Sequence, residues 1–244
     1  MSGHSKWATI HRQKEAIDAK KGAIFTKLAR NITMAVRDKG GDPEMNSALK
    51  SAIDKAKEFN MPKDNIEKAI KRGTGELEGM NIEEITYEAF GPDGIALIIK
   101  CITDNRNRTV SNIRHILTKH GGNLGEAKTV LWMFEEKGVV RFNESQLAEK
   151  KLARDDFELS IIDAGAEDLK NEGGEIVIYA GAKDIQKIKE TLESKGIIIE
   201  SAGLEWIAKN EIESKAESMG KIERLMEALD DEEDVQDVYS NVKI

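Results

Sequence analysis

Apolar residues recur every third or fourth position from Gly22 onward. Ile24, Phe25, Leu28, Ile32, Ala35 and Val36 share one face at about 100° per residue, which predicts an amphipathic helix. Lys27, Arg30 and Arg37 fall roughly opposite, and Gly40-Gly41 ends the pattern. Asp42-Pro43 reads as the N-cap and first residue of a second helix, with Met45, Leu49, Ala52, Ile53 and Ala56 as its stripe. Pro62 opens a third helix, with Ile66, Ala69 and Ile70 inward and Gly73 as its stop. Short amphipathic helices on short links predict a three-helix bundle over residues 22–75.

Beyond Gly73-Thr74-Gly75 the period changes. Tyr87–Phe90, the turn Gly91-Pro92-Asp93-Gly94 and the run Ile95–Ile102 predict strand, turn, strand. A helix follows over Asn107–Lys119. Val130–Phe134 and Val139–Phe142 predict a hairpin around Glu135–Gly138. From 138 to 207 the order is strand Val139–Phe142, helix Leu152–Ala164, strands Glu167–Lys170 and Glu175–Ala180, helix Asp184–Lys195 and strand Ile197–Leu204. That βαββαβ order is the ferredoxin-like signature. Residues 82–134 hold only part of such a unit. The C-terminal segment offers the rest: a helix through Ile222, Leu225, Met226 and Leu229, then a strand Val235–Tyr239. The expected fold is therefore α+β. It comprises a basic N-terminal arm (1–21), the bundle (22–75), a discontinuous α/β middle domain (82–134 plus 208–244) and a ferredoxin-like domain (138–207).

Charge changes this picture more than composition does. The chain of 244 residues has a net charge of −8. Residues 1–73 nevertheless hold 16 Lys and Arg against 9 Asp and Glu, a net of +7, which leaves 21 against 36 for the rest. A basic third in an acidic chain suggests an anionic partner for that third. No stretch approaches the roughly 20 apolar residues needed to cross a bilayer, so the expectation is a cytoplasmic protein with no membrane contact. The single cysteine, Cys101, allows neither an internal disulfide nor a cysteine-based zinc site. Its place in an apolar run predicts a buried strand residue.

No catalytic constellation assembles. Gly73, Gly75 and Gly79 have the wrong spacing for a dinucleotide loop and follow a helix rather than a strand. His4, His11, His115 and His120 form no metal-ligand grouping. No cofactor, metal or catalytic residue is expected. Anion binding has better support. Lys6, His11, Arg12, Lys14, Lys20 and Lys21 surround Trp7, and a basic segment with one aromatic can neutralise phosphates and stack on a base. Lys27, Arg30 and Arg37 would extend that surface. Arg106 and Arg108 sit at a helix start, where they oppose the helix dipole but would help free N–H groups hold a phosphate. Equally, they would serve as salt-bridge partners for carboxylates such as those of Asp230-Asp231-Glu232-Glu233-Asp234, a run otherwise expected to be a solvated turn.

Longer segments carry a resemblance. GHSKW at 3–7, DAKKGAIFTKL at 18–28, GGDPE at 40–44, AIDKAKEFNMPKDNIEKAIKRGTGE at 52–76, YEAFGPDG at 87–94, TDNRNRT at 103–109 and KHGGNLGE at 119–126 resemble the YebC/PmpR family along essentially the whole chain. The resemblance implies a helical bundle and two α/β domains, the middle one completed by the C-terminus. It also implies no catalytic activity and no cofactor. Family members are commonly described as DNA-binding transcriptional regulators. A mitochondrial relative is described as a translational activator, and bacterial members as ribosome-bound factors that relieve stalling at proline-rich stretches. The chain departs from the family's pattern at His11, Gln13 and Ala23, where a basic residue is common, and at Glu126-Ala127-Lys128-Thr129.

Three functions follow as expectations. The first is a DNA-binding transcriptional regulator, although no reading helix stands out. The second is a translation factor on ribosomal or transfer RNA, with the ribosome as partner, for which a basic GHSKW arm is suited. The third is an enzyme on a phosphorylated small molecule using Arg106 and Arg108, for which no general acid or base is evident.

Overall fold

The computed structural model describes residues 17–77 and 81–243, with 17–21 described by their backbone. The described chain divides into two compact units. One holds the residues up to Val130 together with Glu213–Ser240, and the other holds Leu131–Ile212 with the last strand. The architecture is mixed α+β.

In the first unit, helix α1 (Ile17–Lys39) packs against α2 (Ser47–Glu58) and α3 (Lys63–Thr74). Their core is Leu28, Ile32, Val36, Leu49, Ile53, Met61 and Ile66. Three details differ from the sequence reading. Helix α1 begins within the segment assigned to the arm. Helix α2 begins four residues beyond Pro43, because Asn46 and not Asp42 is its cap: the Asn46 side chain accepts the Leu49 N–H at 3.0 Å. The Asn46 amide also donates to Ala35 O (2.7 Å) and Gly40 O (2.8 Å), binding the end of α1 to the start of α2. Met45, placed in the apolar stripe by its spacing, is 82% exposed because it precedes the helix.

Gly73 does not stop α3, which runs on to Thr74 and ends at Gly75 with φ +82°. Gly73 instead lets α3 approach α1: a Cβ there would lie 2.5 Å from Val36 Cβ and 2.9 Å from Thr33 O. Backbone and a β-branched side chain cannot move aside cheaply. Gly73→Ala is therefore expected to lower the stability of this unit by about 2 kcal/mol, despite alanine's better helix propensity. A denaturant midpoint equal to that of the unsubstituted protein would show that the helices yield.

The bundle shares its unit with a four-stranded antiparallel sheet. Strand β1 (Glu83–Phe90) and β2 (Ala96–Thr103) form a hairpin, followed by α4 (Arg106–Lys119) and the short β3 (Asn123–Leu124). The order is β3-β1-β2-β9, with β9 (Val235–Ser240) supplied from the C-terminal segment. Strand β2 is central and buried along its length, as its continuous apolar run requires. Cys101 lies on it, buried as expected.

The second unit runs through β4 (Phe134–Asn143), α5 (Ser145–Glu149), α6 (Arg154–Asp163), β5 (Ala166–Glu172), β6 (Glu175–Ala180), α7 (Ile185–Ser194) and β7 (Ser201–Ala208). The order β5-β6-β4-β7, antiparallel throughout, is the ferredoxin-like arrangement. The expected hairpin at 135–138 is absent. Glu135–Gly138 continue β4, whose residues Phe134–Arg141 pair with Ser201–Ala208, so a full-length partner strand holds the segment straight. Phe142, Phe157, Ile161, Ile178, Ile188 and Leu192 form the core beneath the helices. Strand β8 (Ile212–Glu213) and β10 (Val242–Lys243) form a separate two-stranded sheet, and α8 (Ala216–Asp230) precedes β9.

Candidate nucleic-acid interface

Two of the basic residues foreseen for phosphate binding, Arg30 and Arg108, meet in the structure at one carboxylate, Asp234. Helix α8 ends at Asp230, and the acidic run turns into β9. The Ile102 N–H donates to Asp234 O at 2.9 Å, which fixes Asp234 beside the start of α4. Its side chain is 1% exposed. Arg30 reaches it from α1 at 2.8 Å. Arg108 donates to both of its oxygens, at 2.9 and 3.0 Å, and the Thr109 hydroxyl donates at 2.7 Å. At Arg108 the first turn of α4 thus receives an internal anion from the acidic run, the salt-bridge alternative that the sequence left open beside an external phosphate.

The rest of the run is engaged as well. The Lys27 ammonium donates to Asp230 O, Arg30 donates to Glu233 O at 2.7 Å, and Asn112 donates to Glu232 at 3.1 Å. The solvated turn expected from composition is a clamp between α1, α4 and β9. Its electrostatics follow from burial and pairing. Burial pushes the Lys27 pKa down, against the pull of Asp230 and Asp231. At Asp104 burial pushes the carboxyl up, but the 2.7 Å bond from Arg108, a backbone hydrogen bond and the charges of Arg108 and Arg30 together hold the pKa below the ordinary value. Arg108 is raised in turn by its bonds to Asp234 and Asp104. The Cys101 thiol is pushed up to about 12, first by burial and then by Asp234 and Glu232, so it is an inert core residue.

The foreseen site residues therefore separate into groups. Lys6, Trp7, His11, Arg12 and Lys14 lie outside the described residues, and Lys20 and Lys21 fall within α1. Lys27, Arg30 and Arg108 are held by the acidic run. Arg37 donates to Ile82 O at 2.9 Å. Arg106 is exposed at the start of α4 and makes no ion pair among the described residues. Two further cations, Arg114 and Lys119, are exposed on the same helix. Sequence reasoning passed over them. The signal that could have found them is the absence of any Asp or Glu between 105 and 125 in a chain that is about one third charged. Among the described residues no group of three or more His, Cys, Asp or Glu is placed to hold a metal ion, and no helix is long and apolar enough to cross a membrane.

Residues 5–76 match the model of the TACO1/YebC protein N-terminal domain, and residues 82–242 match that of the TACO1/YebC second and third domain. The chain belongs to the TACO1/YebC family. Among its relatives, a protein of Pseudothermotoga lettingae is 48% identical over 244 residues, covering 100% of this chain and 94% of the relative. One of Persephonella marina is 49% identical over 246 residues, covering 100% and 96%. Both are named probable transcriptional regulatory proteins. The crystal structure of a conserved hypothetical protein, Aq1575 of Aquifex aeolicus, is similar with a TM-score of 0.85 at 40% identity, covering 98% of this chain and 97% of that one.

Proposed function

We propose that this protein is a non-enzymatic regulator of gene expression that acts by binding nucleic acid through its phosphates. One observation carries the reading. The acidic run neutralises Lys27 and Arg30 internally, yet residues 1–73 still hold 14 other cations against 9 carboxylates. That surplus is shared between the segment before α1, with Lys6, Arg12 and Lys14 against Glu15, and α1 itself, with Lys20, Lys21, Arg37 and Lys39 against Asp18 and Asp38, and it is joined by Arg106. A duplex carries one negative charge per roughly 1.7 Å of its axis, so such a surplus finds a ready partner there. DNA as the target agrees with the name that the relatives carry.

A second reading, a translation factor bound to ribosomal or transfer RNA, is favoured by the helices. Those of the bundle alternate acidic with basic residues on their exposed faces, as in Lys63, Asp64, Glu67, Lys68 and Lys71 of α3. That pattern suits contact with a charged surface at its edges better than base reading in a groove.

The test is to replace Lys6, Arg12 and Lys14 together by Ala and to measure affinity against salt. Loss of three phosphate contacts should flatten the slope of log K against log salt by roughly 2 to 3. An unchanged slope would remove the arm from the interface. Crosslinking in cells followed by sequencing separates the targets: promoter DNA supports the first reading, and ribosomal or transfer RNA the second.

A further inference from the structure

An unpaired strand edge is a template for another chain, and folded proteins blunt such edges with short strands, bulges or charged side chains. Among the described strands, three of the four that end the two larger sheets are blunted in this way. Strand β3 is two residues long. Strand β9 breaks register with β2 at Gln236 and carries Asp237. Strand β5 breaks register with β6 at Glu167, and carries Asp168, Lys170 and Glu172 beyond it. Strand β7 has none of these devices. Its eight residues pair with β4 without a shift, and no described strand pairs with its outer side. It contains no proline and no lysine, and its one charge, Glu205, is taken up by Arg141.

Side chains alternate between the two faces of a strand, so Ala202, Leu204 and Trp206 share the face that carries the helices. Ala202 packs against the core beneath them. Leu204 is 44% exposed, and Trp206 is half-buried. The sheet therefore ends in an apolar row that is covered at one end and open along the rest.

We propose that β7 pairs antiparallel with β7 of a second copy of this chain, joining two four-stranded sheets into one of eight strands. The register points to this occupant, because a two-fold contact needs a patch that complements itself. With Leu204 opposite its own copy, Trp206 lies opposite Ala202 and Glu205 opposite Gly203. Large then faces small along the apolar row, and no like charges stand directly opposite. A pairing centred on Glu205 would set two carboxylates against each other. One centred on Gly203 would leave Trp206 facing Glu200, outside the strand. The contact rests on backbone hydrogen bonds and apolar side chains. Residues 131–212 hold 18 Asp and Glu against 11 Lys and Arg, so two copies repel at long range and added salt strengthens their association.

The test is sedimentation velocity on the full chain from about 1 to about 500 μM, because one strand pair makes a small interface of the weak class. A monomer–dimer equilibrium is expected within that range, shifted toward dimer by salt. L204K, at an exposed position, sets two ammonium groups against each other and should abolish the dimer. L159K, on an exposed position of α6, should leave it intact. Oxidation reads the register and keeps the test valid if L204K folds poorly. Cys101 is buried and does not compete. L204C should form a disulfide-linked dimer, because Cα atoms directly opposite lie about 4.5–5.5 Å apart, within disulfide reach. W206C should not, because its copy lies four residues away, about 14 Å along the strand. A chain that stays monomeric across the range, with no L204C crosslink, would overturn the second copy as occupant and leave the edge to an extended segment of another protein. A dimer unchanged in L204K, or equal crosslinking of L204C and W206C, would overturn it as well.

Discussion

Asp234→Ala is expected to destabilise the unit that contains it by about 3 kcal/mol. Removing one partner of a buried ion pair typically costs 3–5 kcal/mol, because the other charge is left without compensation. Here the removed carboxylate serves Arg30, Arg108 and Thr109 together. The value is set at the low end because Arg108 is 44% exposed, and water will take over part of its solvation. Asp234→Asn, which keeps the shape and loses the charge, should fall between Ala and the unsubstituted protein. Glu227→Gln, on an exposed position of α8, should stay within about 0.5 kcal/mol and serves as the control. The measurement is urea unfolding followed by a probe of this unit, since a chain of two compact units need not unfold in one step. An Asp234→Ala midpoint equal to that of the control would show that the clamp contributes nothing.

The second large effect belongs to the other unit. On the sheet face turned away from the helices, Arg141 of β4 pairs with Glu205 of β7. Its Nη2 donates to Glu205 at 2.8 Å and its Nη1 to the other oxygen, a bidentate pair with Arg141 only 7% exposed. Burial works against the charge of Arg141, and the bond to Glu205 together with the charges of Glu205 and Glu175 overcomes it. The Arg141 Nε has no partner, so the arrangement is already short of one bond. Glu205→Ala is therefore expected to cost about 3–4 kcal/mol. Arg141→Met with Glu205→Leu should cost less than Glu205→Ala alone, since no charge remains buried and the volume is kept. A double-mutant cycle reads the difference directly. Strict additivity of the two sites would mean that the pair is not coupled and that Arg141 finds solvent once Glu205 is gone.

Legibility differed between levels. The apolar stripes Leu28–Ile32–Val36 and Ile222–Leu225–Leu229 announced helices, and both are buried as their period implies. The βαββαβ succession was visible because its later connections carry Gly165, Gly173-Gly174, Gly181 and Gly196. Boundaries were less visible. Asp42-Pro43 has the chemistry of a helix start, but Asn46 won because its side chain can satisfy Leu49, Ala35 and Gly40 at once. The candidate site was legible as a set of cations but not as an arrangement. Arg30, Arg108 and Arg106 look alike in sequence, yet Asp234 lies 126 positions beyond Arg108 and takes the first two.

The sequence by itself determined most of the helices and strands, though not the straight course of β4 or the ends of several elements, and it determined the uneven distribution of charge and the membership that long matching segments reveal. These depend on local period, local composition and side-chain identity, all of which can be read in order along a chain. Only the tertiary structure decided which cations remain available. A charge can be neutralised by any carboxylate that folding brings within about 4 Å, and pairing across 126 or 203 positions leaves no local trace. The pairing of β9 with β2 is what carries Asp234 to the start of α4, and so it is the sheet that separates the structural arginines, Arg30 and Arg108, from the exposed ones on α4.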